Sequence, residues 1–215
     1  MNLKLSDGDI RSWEEVQLRY NSALKQMNTK IEILNDEFKE IHRYNPIEHV
    51  KSRIKTPESI VKKLRRDGYE STLENMVNYV NDIAGIRIIC SFTSDIYRIA
   101  DMLASQQDIQ VLTVKDYMMN PKKSGYRSYH MIVQIPVYFS DGLDEVKVEV
   151  QIRTVAMDFW ASLEHKIQYK FEGQAPAHIN AELFECARMV AELDAKMLSL
   201  NDEILEFSGL EERGA

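Results

Sequence analysis

Ile83-Ala84-Gly85-Ile86-Arg87-Ile88-Ile89-Cys90-Ser91-Phe92 is the run that decides the fold class. It is apolar, rich in β-branched residues and carries one embedded arginine, which is the pattern of a buried central strand. On its C-terminal side, Asp95 to Ser105 returns to helical spacing through Ile96, Ile99 and Leu103. Ile109 to Tyr117 then reads as a second strand, followed by a loop at Asn120-Pro121-Lys122-Lys123-Ser124-Gly125. Tyr126 to Val137 and Val146 to Arg153 are two further strands, joined by a turn at Ser140-Asp141-Gly142.

Helices flank this centre. From Ser12 to about Tyr44, Trp13, Val16, Tyr20, Leu24, Met27, Ile31, Leu34, Phe38 and Ile41 recur at steps of three and four. Asn45-Pro46 ends that helix, because the residue before proline is pushed out of the α region. Pro57-Glu58 opens a second helix that Gly68 stops, and a shorter one covers Leu73 to Val80. Beyond the last strand, Val155 to Phe171 and Ala177 to about Phe207 are helical. In the final helix Leu183, Cys186, Val190, Leu193, Met197, Leu200, Ile204 and Phe207 keep heptad spacing. Two long amphipathic helices around an α/β centre leave apolar surface to cover, and some of it is expected in a homo-oligomer interface. The expected organisation is one domain over residues 1–215: an N-terminal helix (12–44), a catalytic α/β centre (45–172) and a C-terminal oligomerisation helix (177–207).

Composition narrows the class. The 215 residues are 44% hydrophobic and 28% charged, as in soluble globular proteins. No apolar run approaches the roughly 18–20 residues that span a bilayer, so no membrane partner is expected. Met1 to Ile10 is polar and lacks a signal-peptide core. Cys90 and Cys186 lie far apart in apolar stretches and read as buried thiols, so a cytoplasmic location is expected. The net charge is −7, unevenly spread. Lys51 to Arg66 holds seven basic residues against Glu58 alone, a net +6, which leaves −13 on the remainder. A basic segment in an acidic protein focuses the field for an anionic ligand.

Alternation sorts the chemistry onto one strand face. In the last strand Val146, Val148, Val150 and Ile152 are apolar, whereas Lys147, Glu149, Gln151 and Arg153 form a charged row. The preceding strand places Tyr126, Ser128 and His130 opposite an apolar set. Asp82 stands just before the central run and Arg87 inside it, where an unpaired charge is costly; a salt bridge to Glu149 is one expected partner. Carboxylates (Asp82, Glu149) suit Mg²⁺, which is shared with phosphates through hard oxygen ligands. Basic side chains suit a polyphosphate, whose transfer is mainly positioning and electrostatics. Aromatic and guanidinium planes suit bases. The set points to phosphoryl-type transfer between nucleotides.

Asn45-Pro46-Ile47-Glu48-His49, Lys51-Ser52-Arg53-Ile54-Lys55, Asp82-Ile83-Ala84-Gly85-Ile86-Arg87, Gly125-Tyr126-Arg127-Ser128-Tyr129-His130, Glu149-Val150-Gln151-Ile152-Arg153-Thr154 and Asp158 to Lys166 resemble the RelA/SpoT alarmone synthetase domain. The chain has no His-Asp dipeptide of the hydrolase kind and resembles a stand-alone small alarmone synthetase of the RelP branch. The resemblance implies an α+β fold, a mixed five-stranded sheet of the nucleotidyltransferase type flanked by helices, assembled as a homotetramer. It implies transfer of the β,γ-pyrophosphate of ATP to the 3′-hydroxyl of GDP or GTP. By position, Arg53 and Arg87 would sandwich the adenine, and Lys55, Ser59, Lys63 and Arg66 would hold the ATP phosphates. Asp82 and Glu149 would bind Mg²⁺, with Glu149 as the base. Tyr126 would stack on guanine, with Lys115, Lys122, His130 and Gln151 around the guanosine nucleotide. The alternative is an RNA-binding module using Lys51 to Arg66 and Tyr126, against which the acidic remainder argues.

Overall fold

The computed structural model describes residues 12–42, 44–171 and 175–208; the amino-terminal stretch through Ile10 lies outside the described residues. In chain order the elements are α1 (Trp13–Glu37), β1 (Ile47–Ile54), α2 (Pro57–Arg66), α3 (Leu73–Tyr79), β2 (Ala84–Cys90), α4 (Thr93–Ala104), β3 (Gln110–Asp116), β4 (Tyr129–Phe139), β5 (Gly142–Thr154), α5 (Val155–Lys170) and α6 (Ala177–Ser208). The fold is α+β. Its five-stranded sheet runs β1-β2-β5-β4-β3 and is mixed: β2 and β5 are parallel, every other neighbouring pair antiparallel. A parallel pair needs a crossover, and the chain supplies it through α4, β3 and β4.

Register separates the two faces. Ile86 and Ile88 of β2 lie beside Val150 and Ile152 of β5, which in turn adjoin Met131 and Tyr129 of β4. This apolar face is covered by Val16, Tyr20, Met27 and Ile31 of α1 and by Ile96, Ile99 and Leu103 of α4, all in one core cluster. The other face carries two polar rows across the sheet. One is Arg53, Gly85, Glu149, Ile132 and Thr113; the next is Lys51, Arg87, Gln151, His130 and Lys115.

Local chemistry sets the helix ends that border this face. The Thr56 side chain caps α2 by accepting from the Ser59 amide, Pro57 occupies the first turn, and Gly68 follows at φ +85°. The Thr154 hydroxyl caps α5 by accepting from the Met157 amide, so β5 feeds straight into α5 and that helix begins at the edge of the polar face.

Three expectations need correction, and one strand goes beyond them. Strand β1 occupies the segment before Pro57, to which the sequence pattern assigns no element. It hides only Ile47 fully, because an edge strand can remain polar and still pair through its backbone. The last turn of the first helix, Phe38–His42, is a π-helix, whose wider turn rotates Ile41 outward to 70% exposure. Strand β4 begins at Tyr129, and Ser128 is buried, its hydroxyl donating to the Ile152 carbonyl rather than facing the open side. Cys90 is buried as expected, but Cys186 is exposed. On α6, Ala187, Val190 and Asp194 pack inward and most of the heptad stripe faces outward. No described helix is long and apolar enough to cross a membrane.

Candidate active site

The open polar face floors a cavity of about 710 Å³, walled by the Lys122–Tyr126 loop and by α5. At one side stands Asp82, in the turn before β2. Lys55 Nζ reaches its Oδ2 at 2.6 Å and Lys63 Nζ its Oδ1 at 2.8 Å. Burial opposes its charge, yet the two ammonium groups together hold the carboxyl below its ordinary value.

Glu149 occupies the middle of β5. Its Oε1 lies 3.4 Å from His130 Nδ1, and its Oε2 accepts from Gln151 Nε2 at 2.9 Å. Burial again opposes ionisation, and the neighbouring imidazole and amide outweigh it, keeping this carboxyl below the usual glutamate value. His130 Nε2 shares a 2.9 Å hydrogen bond with the Tyr126 hydroxyl. The Tyr126 ring has Lys122 Nζ at 4.6 Å and the Arg153 guanidinium at 5.6 Å from its centroid, with Tyr117 edge-on at 6.0 Å. Cations over an aromatic face are attracted by its quadrupole, and the ring is held upright beside the cavity.

Arg53 sits opposite Gly85, and Arg87 follows two residues along β2. A Cβ at position 85 would meet Arg53 Cγ at 3.9 Å, an ordinary contact. Arg87 pairs with Asp158 of α5 at 3.3 Å, not with Glu149; its Nε is buried without a partner. The Arg87 side chain as a whole is half-buried and lines the cavity.

Of the residues singled out from the sequence, Arg53, Asp82, Arg87, Lys115, Lys122, Tyr126, His130, Glu149 and Gln151 line this one cavity. Lys55 and Lys63 join it through Asp82. Ser59 and Arg66 are not among its lining residues: Ser59 is on the exposed first turn of α2, and Arg66 pairs with Asp67 at 2.8 Å. Strand and loop patterning had not singled out Ser162, His165 and Lys166, which line the cavity from α5. Their spacing of three and four is the one local signal that puts them on a common helix face. Two carboxylates that feel each other's charge are a hard-oxygen donor set suited to Mg²⁺ completed by phosphate oxygens and water. No cluster of three or more acidic, histidine or cysteine ligands exists among the described residues.

A half-covered mixed sheet, with paired carboxylates beneath basic and aromatic groups, is the build of an enzyme that handles nucleotide phosphates. Residues 52–174 match the model described as a region found in RelA / SpoT proteins, and the chain belongs to that family. It is 48% identical over 195 residues to the GTP pyrophosphokinase YwaC of Bacillus subtilis (strain 168), covering 91% of this chain and 93% of that one. The crystal structure of small alarmone synthetase 2 from Bacillus subtilis matches with a TM-score of 0.81 at 46% identity, over 89% of this chain and 98% of that one. Small alarmone synthetase 1 from the same organism, bound to its product pppGpp, matches with a TM-score of 0.84 at 35% identity, over 89% and 97%.

Proposed function

We propose that this protein is a (p)ppGpp synthetase that transfers the β,γ-pyrophosphate of ATP to the 3′-hydroxyl of GDP or GTP, releasing AMP. The observation that carries this reading is the convergence of Glu149, Asp82 with its two lysines, the Arg53/Arg87 pair and the Tyr126 ring on one cavity. Arg53 and Arg87 take the adenine between their guanidinium planes. Lys55 and Lys63 neutralise the ATP phosphates, and Ser59 and Arg66 extend that role along α2 from outside the cavity lining. Tyr126 stacks on guanine, while Lys115, Lys122, His130 and Gln151 surround the guanosine nucleotide.

In the reaction the 3′-oxygen attacks the β-phosphorus of ATP. The O3′–Pβ bond forms as the bond from Pβ to the oxygen bridging the α-phosphate breaks, and AMP leaves with that oxygen. Glu149, kept ionised, accepts the hydroxyl proton; general-base help of this kind is worth roughly 10²–10⁴-fold. Asp82 and Glu149 would hold Mg²⁺, which supplies positive charge to the transferring phosphate oxygens when bound.

The reading extends to the whole chain: one synthetase domain over residues 1–215, its α6 stripe joining copies into a homotetramer, working in the cytoplasm. The test is incubation with ATP, GDP and Mg²⁺, followed by anion-exchange separation. AMP and a tetraphosphorylated guanosine should appear in equal amounts, and Glu149→Gln should abolish both while the circular dichroism spectrum stays unchanged. Absence of both products with GDP and with GTP would overturn synthesis and leave RNA binding through Lys51 to Arg66 as the surviving reading.

A further inference from the structure

Arg153 ends the charged row of β5, yet its side chain is only 3% exposed. A guanidinium is costly to bury unless its donors are used. Its ion pair is a long one: Nη1 lies 3.7 Å from Asp158 Oδ1, the same oxygen that Arg87 approaches to 3.3 Å. Nε has no partner. The short bond of Arg153 goes elsewhere, from Nη2 to Gln151 Oε1 at 2.9 Å. Gln151 spends its other end on Glu149, donating from Nε2 to Oε2 at 2.9 Å. A glutamine amide has one accepting and one donating end. With the oxygen held by a cation, the amide cannot turn over and present its carbonyl to the carboxylate. Residues 149, 151 and 153 share one strand face, so three successive positions form a single chain of hydrogen bonds.

We propose that Arg153 is a positioning residue for pyrophosphoryl transfer: it locks the Gln151 amide, which holds the Glu149 carboxylate in one orientation toward the 3′-hydroxyl. The proposal rests on the assignment of Glu149 as base in the synthesis reading. A salt bridge that merely held α5 to the sheet would act through Asp158 and would be indifferent to Gln151.

Arg153→Met, which keeps the apolar stem, tests this alone and combined with Gln151→Ala. In the wild-type background kcat should fall about ten- to a hundredfold, as for a misplaced reacting group, with KM for ATP unchanged. In the Gln151→Ala background Arg153→Met should add less than about twofold, since residues in one chain are not additive. An undiminished loss there overturns the proposal. Should the methionine variant fail to fold, Arg153→Lys, which keeps the charge but not the planar fork, goes through the same cycle. Failure of wild-type protein to make product would refute the synthesis reading, whereas an active wild type whose loss on Arg153→Met is the same with and without Gln151 would refute the role of Arg153 alone.

Discussion

Two carboxylates stand in the cavity under different kinds of neighbour. Asp82 is met by two ammonium groups, so its charge is more than balanced and one positive charge is left over before any nucleotide arrives. Glu149 has one imidazole and one amide, neither of them a permanent cation, which leaves its lone pairs available to a hydroxyl. The same contrast between fixed and shared charge shapes Tyr126. Lys122 and Arg153 approach its ring and its hydroxyl engages His130, so the plane is oriented before substrate binds. Stacking of a base on such a plane is worth roughly 1–3 kcal/mol, and 1.4 kcal/mol corresponds to about tenfold in affinity. Tyr126→Ala should therefore raise KM for the guanosine nucleotide by about tenfold or more while leaving KM for ATP within about twofold. Steady-state kinetics with each substrate varied in turn decides it, and an equal rise in both constants would remove Tyr126 from the guanine site.

At the level of elements, the loop that carries Tyr126 depends on the helix behind it. Gly125 has φ +86°, and a Cβ there would lie 2.5 Å from Ala187 Cβ of α6. The loop closes on itself as the Gly125 amide donates to the Lys122 carbonyl, while Trp160 Nε1 donates to the Leu183 carbonyl and ties α5 to α6. Gly125→Ala should cost about 1–3 kcal/mol from backbone strain, lowering Tm by roughly 2–12 °C for a chain of this size. It should also raise KM for the guanosine nucleotide; unchanged Tm and KM together would show that the loop does not need this approach. Much of this architecture is legible in the sequence because β5 is apolar at one parity and charged at the other, so Glu149, Gln151 and Arg153 fall together by counting. Strand β1 is not legible in that way: Ile-Glu-His-Val-Lys-Ser-Arg-Ile lacks apolar alternation, and only pairing with β2 makes it a strand. Equally hidden is the partner of Arg87, since Asp158 lies 71 residues away and no local pattern encodes that contact. On α2, Lys63 reaches Asp82 across 19 residues, a contact that no local pattern encodes, while Arg66 pairs with its neighbour Asp67.

Over the whole molecule, α6 presents two apolar faces where a helix packed on its own domain needs one. Ala187, Val190 and Asp194 hold it to α5 and the sheet, with the Thr154 hydroxyl donating to Asp194 at 2.8 Å. On the other side Leu193, Met197, Leu200, Ile204 and Phe207 continue outward, Ile204 at 65% and Phe207 at 85% exposure. A contiguous apolar stripe of this kind is seldom left to water. Its heptad spacing fits an identical helix from another copy, since knobs at three-and-four intervals fit holes of the same period. The inward face remains untouched by changes on this stripe, so assembly and folding can be separated. Leu193→Lys combined with Ile204→Lys should lower the mass measured by light scattering below that of the wild type. Helicity by circular dichroism should be retained, because neither residue belongs to the packed side. A mass equal to the wild type would show that the stripe is not where copies of this chain meet.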